Sequence, residues 1–119
     1  MADSNWHKVG DVTSLSRRRC HPLYAETNKN DDLVLLFARG QFHAMEAWCS
    51  HLGGPLFKGD IEDFQGRPHI MCPWHGYMFD VEKGTNSIGL RQEVFPTKVE
   101  EGHVWVQYKC PLKLEPIGR

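Results

Sequence analysis

Two short motifs in this chain each place a cysteine beside a histidine. The first is Cys49-Ser50-His51 and the second is Cys72-Pro73-Trp74-His75, with twenty residues between His51 and Cys72. Thiolate and imidazole ligands suit iron–sulfur clusters and zinc, whereas calcium and magnesium prefer oxygen ligands. Because each motif supplies one ligand of each kind, two loops that carry them could present both cysteines to one metal ion and both histidines to another.

We interpret Cys49, His51, Cys72 and His75 as the ligands of one [2Fe–2S] cluster, in which two histidines can replace two cysteines on one iron. The alternative is a structural Cys2His2 zinc site, although its ligands commonly come as a cysteine pair and a histidine pair. Glycines at 53, 54 and 76 would let the backbone approach a cluster closely. Apolar neighbours would shield it from water: Leu52, Pro55, Leu56 and Trp74.

The remaining cysteines and histidines lack this spacing. Cys20 and Cys110 are interpreted as buried or unreactive thiols, and a disulfide between them stays an open alternative, because connectivity cannot be read from sequence. Five further histidines stand in strand-like or turn-like contexts. We interpret them as structural or solvent-exposed: His7, His21, His43, His69 and His103.

The composition fits one small domain. The chain has 119 residues, 40% of them hydrophobic, and a formal net charge of -1 from 14 basic and 15 acidic residues. This balance argues against nucleic acid as a partner, because phosphate binding needs a clustered positive surface. We interpret Arg17-Arg18-Arg19 and the acidic residues Asp60, Glu62 and Asp63 as solvated surface.

No stretch of the sequence approaches the roughly 20 apolar residues that a membrane span requires. The N-terminal residues Met1–Asn5 also lack the basic and apolar regions of a signal peptide. We therefore expect a cytoplasmic protein without a membrane span.

The pattern of β-branched and aromatic residues predicts an all-β protein. Arg39-Gly40 and Glu101-Gly102 are predicted hairpin turns, because glycine supplies the positive φ that such turns need. A single turn of helix is predicted within Ser14–Arg19, and a polar loop over Asn28–Asp32. The predicted strands are Trp6–Val9, Pro22–Thr27, Leu33–Ala38, Phe42–Ala47, Arg67–Met71, Tyr77–Asp80, Glu93–Val99 and His103–Tyr108.

The two motifs and their surroundings resemble the cluster-binding loops of Rieske proteins. The resemblance is strong over Cys49–Leu56 and Cys72–Asp80 and weaker over Gly59–Ile61 and Phe95–Glu100. The chain is similar to soluble Rieske ferredoxins, including the stand-alone Rieske-domain proteins of animals, and to the small subunits of assimilatory nitrite reductases. The resemblance implies that each histidine binds iron through Nδ1 and directs its Nε2 edge outward.

The resemblance also implies a fold, which the strand pattern alone leaves at all-β. We expect a single domain over residues 1–119 with an antiparallel β-sandwich or barrel-like base, formed by 1–45 and 81–119. A small rubredoxin-like cluster-binding lobe over 46–80 is expected as an insertion in this base.

The chain departs from the respiratory and photosynthetic branch of that family. Those proteins carry an extra cysteine in each loop, and the two form a disulfide, whereas the matching positions here are Gly54 and Trp74. They also carry a Ser and a Tyr whose hydroxyls bond to cluster sulfurs, whereas the matching residues here are Tyr77 and Phe79. Without these hydroxyl donors, a cluster in this chain is expected to have a low reduction potential.

We expect a one-electron carrier rather than an enzyme, because the metal centre and not a side-chain nucleophile would carry the chemistry. The chain is too short for the separate non-haem iron domain of Rieske oxygenases. As a monomer it would take electrons from a reductase and pass them to an oxygenase or similar acceptor. Two other hypotheses are a cluster- or zinc-bearing subunit of a larger oxidoreductase such as a nitrite reductase, and a redox or iron sensor with a labile cluster.

Overall fold

The computed structural model describes residues 5–118. Within this range strands and short turns make up the chain, which confirms the all-β prediction. The one α-helix of this range is α1 (Val12–Leu15), and two 3-10 turns cover Lys29–Asp31 and Leu56–Lys58; none of these could cross a bilayer. The strands are β1 (Asn5–Asp11), β2 (Cys20–Ala25), β3 (Leu33–Ala38), β4 (Gln41–Glu46), β5 (Asp60–Phe64), β6 (Arg67–Met71), β7 (Met78–Asp80), β8 (Val94–Phe95), β9 (Thr97–Glu100), β10 (His103–Tyr108) and β11 (Leu112–Lys113).

Two antiparallel sheets form the larger part of the molecule. One has the strand order β1-β10-β9, and the other has the order β11-β2-β3-β4-β8. Successive side chains of a strand point to opposite faces, so alternate residues of β10 are buried: Val104, Val106 and Tyr108. These residues pack with Leu33 and Leu35 of the other sheet in a shared hydrophobic cluster, the base core.

β3 is buried on both faces, which explains its uninterrupted apolar sequence. Leu33 and Leu35 belong to the base core, whereas Val34 and Leu36 belong to a second cluster. We call this second cluster the loop core. Its members are Cys20, Val34, Leu36, Ala38, Met45, Cys49, Leu56, Ile70, Cys72, Phe79 and Val81. Full burial of one aliphatic side chain contributes about 1.5–3 kcal/mol, so β3 stabilises both cores at once.

A third antiparallel sheet, with the order β5-β6-β7, lies wholly within residues 60–80. The turn between β5 and β6 has positive φ at both Gln65 (54°) and Gly66 (78°), as a two-residue hairpin of matching twist requires. Ile70 and Phe79 are paired across β6 and β7, and both are fully buried in the loop core. This small sheet therefore covers the second face of β3.

Several predicted elements agree with the structure. Leu33–Ala38, Arg67–Met71 and His103–Tyr108 have the predicted bounds. The turns Arg39-Gly40 and Glu101-Gly102 have positive φ at both residues, as predicted for hairpin turns.

Other predicted elements were wrong. The single strand predicted over Glu93–Val99 is two strands, β8 and β9, because Pro96 between them has no N–H for a sheet ladder. The helical turn predicted within Ser14–Arg19 begins earlier, at Val12, because the Asp11 carboxylate caps it by accepting the Ser14 N–H at 2.9 Å.

Candidate metal centre

The first loop, residues 47–55, runs from the end of β4 to the 3-10 turn Leu56–Lys58 and carries Cys49 and His51. It is closed around the cysteine by two backbone hydrogen bonds. Cys49 N–H donates to Gly54 O at 2.8 Å, and Gly53 N–H donates to Cys49 O at 2.7 Å. Gly53 has a φ of 80°, which a residue with a side chain rarely adopts.

The second loop, residues 72–77, joins β6 to β7 and carries Cys72 and His75. It repeats the hydrogen-bond pattern of the first loop at the same spacings from the cysteine. Cys72 N–H donates to Tyr77 O at 2.8 Å, and Gly76 N–H donates to Cys72 O at 3.0 Å. The backbone therefore presents the two cysteines in the same way, although the two sequence motifs differ by one residue.

The two loops touch at Gly54. A Cβ at this position would lie 2.6 Å from Cys72 Sγ and 3.2 Å from two atoms of the Trp74 ring, so only glycine fits without a shift. Burial raises the pKa of the Cys49 thiol, the neighbouring Cys72 side chain raises it further, and backbone N–H groups of His51 and Leu52 act in the opposite direction. Both cysteines are thus buried, their thiols interact, and the Cys49 sulfur also lies next to backbone N–H donors.

The two motif histidines lie together and are less buried than the two cysteines. The ring centroids of His51 and His75 are 5.6 Å apart, with an interplanar angle of 88°. The Tyr77 ring packs against the His51 ring at 4.2 Å. Within residues 5–118, His51 Nδ1 is the buried side-chain nitrogen or oxygen that has no hydrogen-bond partner. A buried polar atom without a partner is costly, and a metal ligand is an atom of that kind.

Chemically, the site offers two cysteine sulfurs and two imidazoles, on two loops that meet at Gly54. In the described part of the chain, no group of three or more His, Cys, Asp or Glu side chains is arranged to hold one metal ion. A two-iron cluster of the mixed type takes two protein ligands on each iron, so two separate pairs are the donor set that it needs.

The apolar residues near the motifs differ in how deeply they are buried. Leu56 is fully buried in the loop core and covers the cysteines from inside. Leu52 and Trp74, which we expected to shield the site, are 58% and 57% exposed. Each therefore presents apolar surface to solvent beside a motif histidine in the chain, and the shielding of a cluster by these two side chains stays a prediction.

The second loop is supported at its outgoing end by Asp80. The Asp80 carboxylate accepts hydrogen bonds from Arg67 Nε and Nη2 and from the N–H groups of Glu82 and Lys83. Burial alone would raise the pKa of Asp80, but these hydrogen bonds outweigh burial and lower the pKa to about 2. Arg67 also pairs with Glu82 at 2.9 Å. This ion-pair network fixes the turn into which β7 leads.

The cysteines outside the motifs are buried and free, as predicted, and no disulfide joins them. Cys20 lies in the loop core, whereas Cys110 lies in the base core, so the two thiols belong to different clusters. Burial raises the pKa of the Cys20 thiol to about 11, and its Sγ contacts Gly59 O at 3.8 Å. The Cys20 thiol therefore remains protonated near neutral pH.

The histidines outside the motifs have structural contacts or face solvent. Four of them hydrogen-bond to backbone carbonyl oxygens, as a structural interpretation predicts: His7 to Tyr108, His21 to Leu15, His69 to Arg67 and His103 to Glu101. His43 is half-buried, and its burial lowers its pKa. The arginines Arg17–Arg19 and the acidic residues Asp60, Glu62 and Asp63 are exposed, as predicted for solvated surface.

The sequence analysis did not identify one residue of the site. Gln92 is fully buried, and its side-chain amide hydrogen-bonds to the backbone of the first loop. No motif marks it, since it lies 42 positions from Ser50, and a glutamine in a polar segment is usually exposed. Its sequence neighbours Arg91 and Glu93 are indeed exposed, so the local pattern gives no signal of burial.

The chain is similar to known proteins in sequence and in fold. Residues 9–110 match the family model of soluble Rieske-type ferredoxins. The chain is 36% identical to the Rieske domain-containing protein of Homo sapiens, with 66% of this chain and 64% of that protein covered. It thus spans less than two thirds of the length of that relative.

Two solved structures are similar in fold. A structure described as an NADH-dependent nitrite reductase small subunit from Mycobacterium tuberculosis has a TM-score of 0.78 at 19% identity, with 88% of this chain and 96% of that chain covered. A chain from a complex of reduced oxygenase and oxidized ferredoxin in carbazole 1,9a-dioxygenase has a TM-score of 0.70 at 27% identity, with 86% and 92% covered.

Proposed function

Because this chain belongs to the soluble Rieske-type ferredoxins, we propose that it is a one-electron carrier whose [2Fe–2S] cluster is held by Cys49, His51, Cys72 and His75. The observation that carries the ligand assignment is the buried and unpartnered Nδ1 of His51, the atom through which the histidine would bind iron. The adjacent, buried sulfurs of Cys49 and Cys72 support the same assignment.

When bound, the cluster supplies a centre that accepts and releases one electron. The chain contributes the surroundings of that centre. Cys49 and Cys72 are buried in the loop core, so the sulfur side is kept from water. His75 is exposed, so the histidine side would lie at the surface, where an electron can leave over a short distance.

We further propose that the chain works as a monomer between a reductase donor and an oxygenase-type acceptor. One chain of the complex of oxygenase and ferredoxin in carbazole 1,9a-dioxygenase is similar to this chain, which supports an acceptor of the oxygenase class. The exposed apolar side chains of Leu52 and Trp74 beside the histidines suit a transient contact with such partners.

The test of this function is the metal content and spectrum of the purified protein. We expect two irons and two sulfides per chain, visible absorption bands, and a rhombic electron paramagnetic resonance signal after reduction. A colourless protein with stoichiometric zinc would contradict the proposal and support the Cys2His2 alternative. Copurification of the native protein with a larger chain at fixed stoichiometry would instead identify a permanent subunit.

The ligand assignment is tested by cysteine and histidine variants. Cys49→Ser, Cys72→Ser, His51→Ala and His75→Ala should each abolish or strongly reduce iron incorporation and, because metal binding stabilises the folded state, lower the melting temperature. Cys20→Ser and Cys110→Ser are the matched controls, since both thiols are buried but lie outside the motifs. Equal iron loss in the control variants would contradict the assignment.

A further inference from the structure

Gln92 is the most deeply buried polar residue of the described chain, with 0% of its surface exposed. All three hydrogen bonds of its amide are made to the backbone of the first loop and of the strand end before it. Oε1 accepts from Ser50 N–H at 2.6 Å, and Nε2 donates to Trp48 O at 3.0 Å and to Glu46 O at 3.2 Å. The side chain therefore spans the base of the loop from inside.

These partners fix the orientation of the amide and the residue type. A reversed amide would place its NH2 against the Ser50 N–H and its oxygen against two carbonyl oxygens, which leaves every contact repulsive. A carboxylate at position 92 would have an acceptor for Ser50 but no donors for the carbonyls. Of the side chains of this length, glutamine alone satisfies all three backbone groups.

Gln92 is itself held against the turn that follows the second loop. Its backbone N–H donates to Gly84 O at 2.7 Å, and Gly84 N–H donates to Asp80 O at 2.7 Å. Gly84 has a φ of 74°, and a Cβ there would lie 2.1 Å from Gln92 O, so the close approach requires glycine. Through Gln92, the first loop is connected to β7, the strand that leaves the second loop.

We propose that Gln92 is a positioning residue of the redox centre, which fixes the Ser50 peptide between Cys49 and His51 and so sets the direction of the next N–H groups towards the Cys49 sulfur. The inference rests on the proposed cluster. Gln92 takes the Ser50 N–H. The N–H groups of His51 and Leu52, which follow in the chain, act on the Cys49 thiol. Such donors are one of the means by which a protein tunes the potential of an iron–sulfur centre.

The wild-type protein provides the first test. Ser50 is an exposed loop residue, and an exposed loop amide ordinarily exchanges its hydrogen quickly. Its bond to a buried side chain predicts the opposite. We expect hydrogen-exchange mass spectrometry with single-residue fragmentation to show a protected Ser50 amide, with Ser87, which is also exposed, as the unprotected reference. Rapid exchange at Ser50 overturns the inference without any variant.

Gln92→Met is the principal variant, because methionine keeps the unbranched shape and lacks the amide donors and acceptor. In the cluster-bearing protein, Ser50 exchange should accelerate about tenfold, as expected from the loss of one hydrogen bond. The signal of the reduced cluster should broaden, and the reduction potential should become more negative, since the N–H groups near the sulfur lose their alignment. Wild-type exchange, line width and potential in this variant overturn the inference.

Tyr108→Phe is the matched control. It removes one buried hydrogen bond, from Tyr108 Oη to Asp31 O at 2.7 Å, but it does so in the base core. This variant should lose stability while Ser50 exchange, the spectrum and the potential stay as in the wild type. A potential shift in Tyr108→Phe as large as that in Gln92→Met would mean that the effect reports stability alone, and it would overturn the positioning role.

Where Gln92→Met does not fold, the wild-type exchange measurement decides alone: a protected Ser50 amide supports the inference, and rapid exchange overturns it. A wild-type protein that lacks iron and sulfide contradicts the proposed function instead. Ser50 exchange is measured with or without metal, so the failure of one proposal is distinguishable from the failure of the other.

Discussion

Position 54 of the first loop requires glycine, because the two loops meet there. Its missing side chain leaves room for Cys72 Sγ and for the Trp74 ring of the second loop. Gly53, the preceding residue, has open space where a Cβ would lie, with no atom of a non-adjacent residue within 4 Å, but has a φ of 80°. The two adjacent glycines are therefore required for different reasons, one for space and the other for backbone conformation.

Gly54→Ala should disturb the ligand Cys72, because its Cβ would overlap the sulfur unless a loop shifts. We expect reduced iron content and altered visible and paramagnetic spectra in this variant. Gly53→Ala is the control in the same loop: it should cost about 1 kcal/mol of unfolding free energy through its positive φ and leave the spectra unchanged. Unchanged spectra in Gly54→Ala would show that the loops meet elsewhere.

The side chains of Tyr77 and Phe79 indicate a low reduction potential for the proposed cluster. Phe79 is fully buried and has no hydroxyl, and Tyr77 packs its ring on His51. Hydrogen bonds to cluster sulfurs favour the reduced state, so their loss should place the potential near the lower end of the Rieske range, about −150 mV. The double variant Tyr77→Ser/Phe79→Tyr should raise it in protein-film voltammetry. A wild-type potential well above zero would show that other donors act on the sulfurs.

At the scale of single elements, Asp80 shows how a strand end supports the second loop. The carboxylate closes the turn after β7 by accepting two backbone N–H groups and pairs with Arg67 at the start of β6. One side chain thus joins both strands that carry the loop.

Asp80→Asn should lower the unfolding free energy at pH 7 by about 2 kcal/mol, because a carboxyl whose pKa falls to about 2 on folding stabilises the charged, folded form. This stabilisation is complete above the ordinary Asp pKa of about 3.9 and is lost as the pH falls towards 2. The difference between wild type and variant in urea unfolding should therefore shrink below about pH 4.

Asp63→Asn is the control for this prediction. Asp63 pairs with Arg39 at 2.9 Å, but both side chains are exposed, and an exposed ion pair contributes at most about 1 kcal/mol. An equal loss of stability in the two variants at pH 7 would contradict the role assigned to Asp80.

The strands that the sequence predicts best are those with a strong apolar pattern. β3 and β10 are of this kind. β5 was missed because its acidic residues leave it mostly exposed, and its pairing with β6 depends on the tertiary structure. β11 was missed because it has only two residues, Leu112 and Lys113. Short or polar strands are defined by their partners, which a local pattern does not show.

Part of the candidate site could likewise be predicted from the sequence, and part of it could not. The four motif residues are visible in the sequence because each pair lies within three or four positions, and the structure brings the two pairs together. Their role as ligands stays a prediction until metal is measured. The support from Gln92 and Asp80 was not foreseen, because it depends on hydrogen bonds between segments distant along the chain.

At the scale of the whole molecule, three large apolar side chains are exposed near the histidine end. Leu52 belongs to the first loop and Trp74 to the second. Ile88 lines a cavity of about 170 Å³ that Gly76 and Tyr77 of the second loop also line. Exposed apolar surface beside a redox centre is suited to brief contact with a partner.

Leu52→Asp should slow electron transfer from the reductase while the optical spectrum stays unchanged, since the Leu52 side chain is exposed and lies outside the loop core. Val99→Asp is the matched control: Val99 is exposed to a similar extent, 56% against 58%, but lies on β9 in the base. Stopped-flow reduction of both variants by the reductase makes the comparison. Equal slowing in the two variants, or none in Leu52→Asp, would place the contact surface elsewhere.

The pairing of β1 with β10 has a consequence for biosynthesis. Asn5 lies opposite Tyr108 and Asp11 opposite His103, so β1 pairs with a strand that is translated after both motif loops. A ribosome adds about 5–20 residues per second, and all four motif residues are therefore synthesised seconds before the sheet that completes their scaffold can close. We expect iron to enter only after β10 has been synthesised.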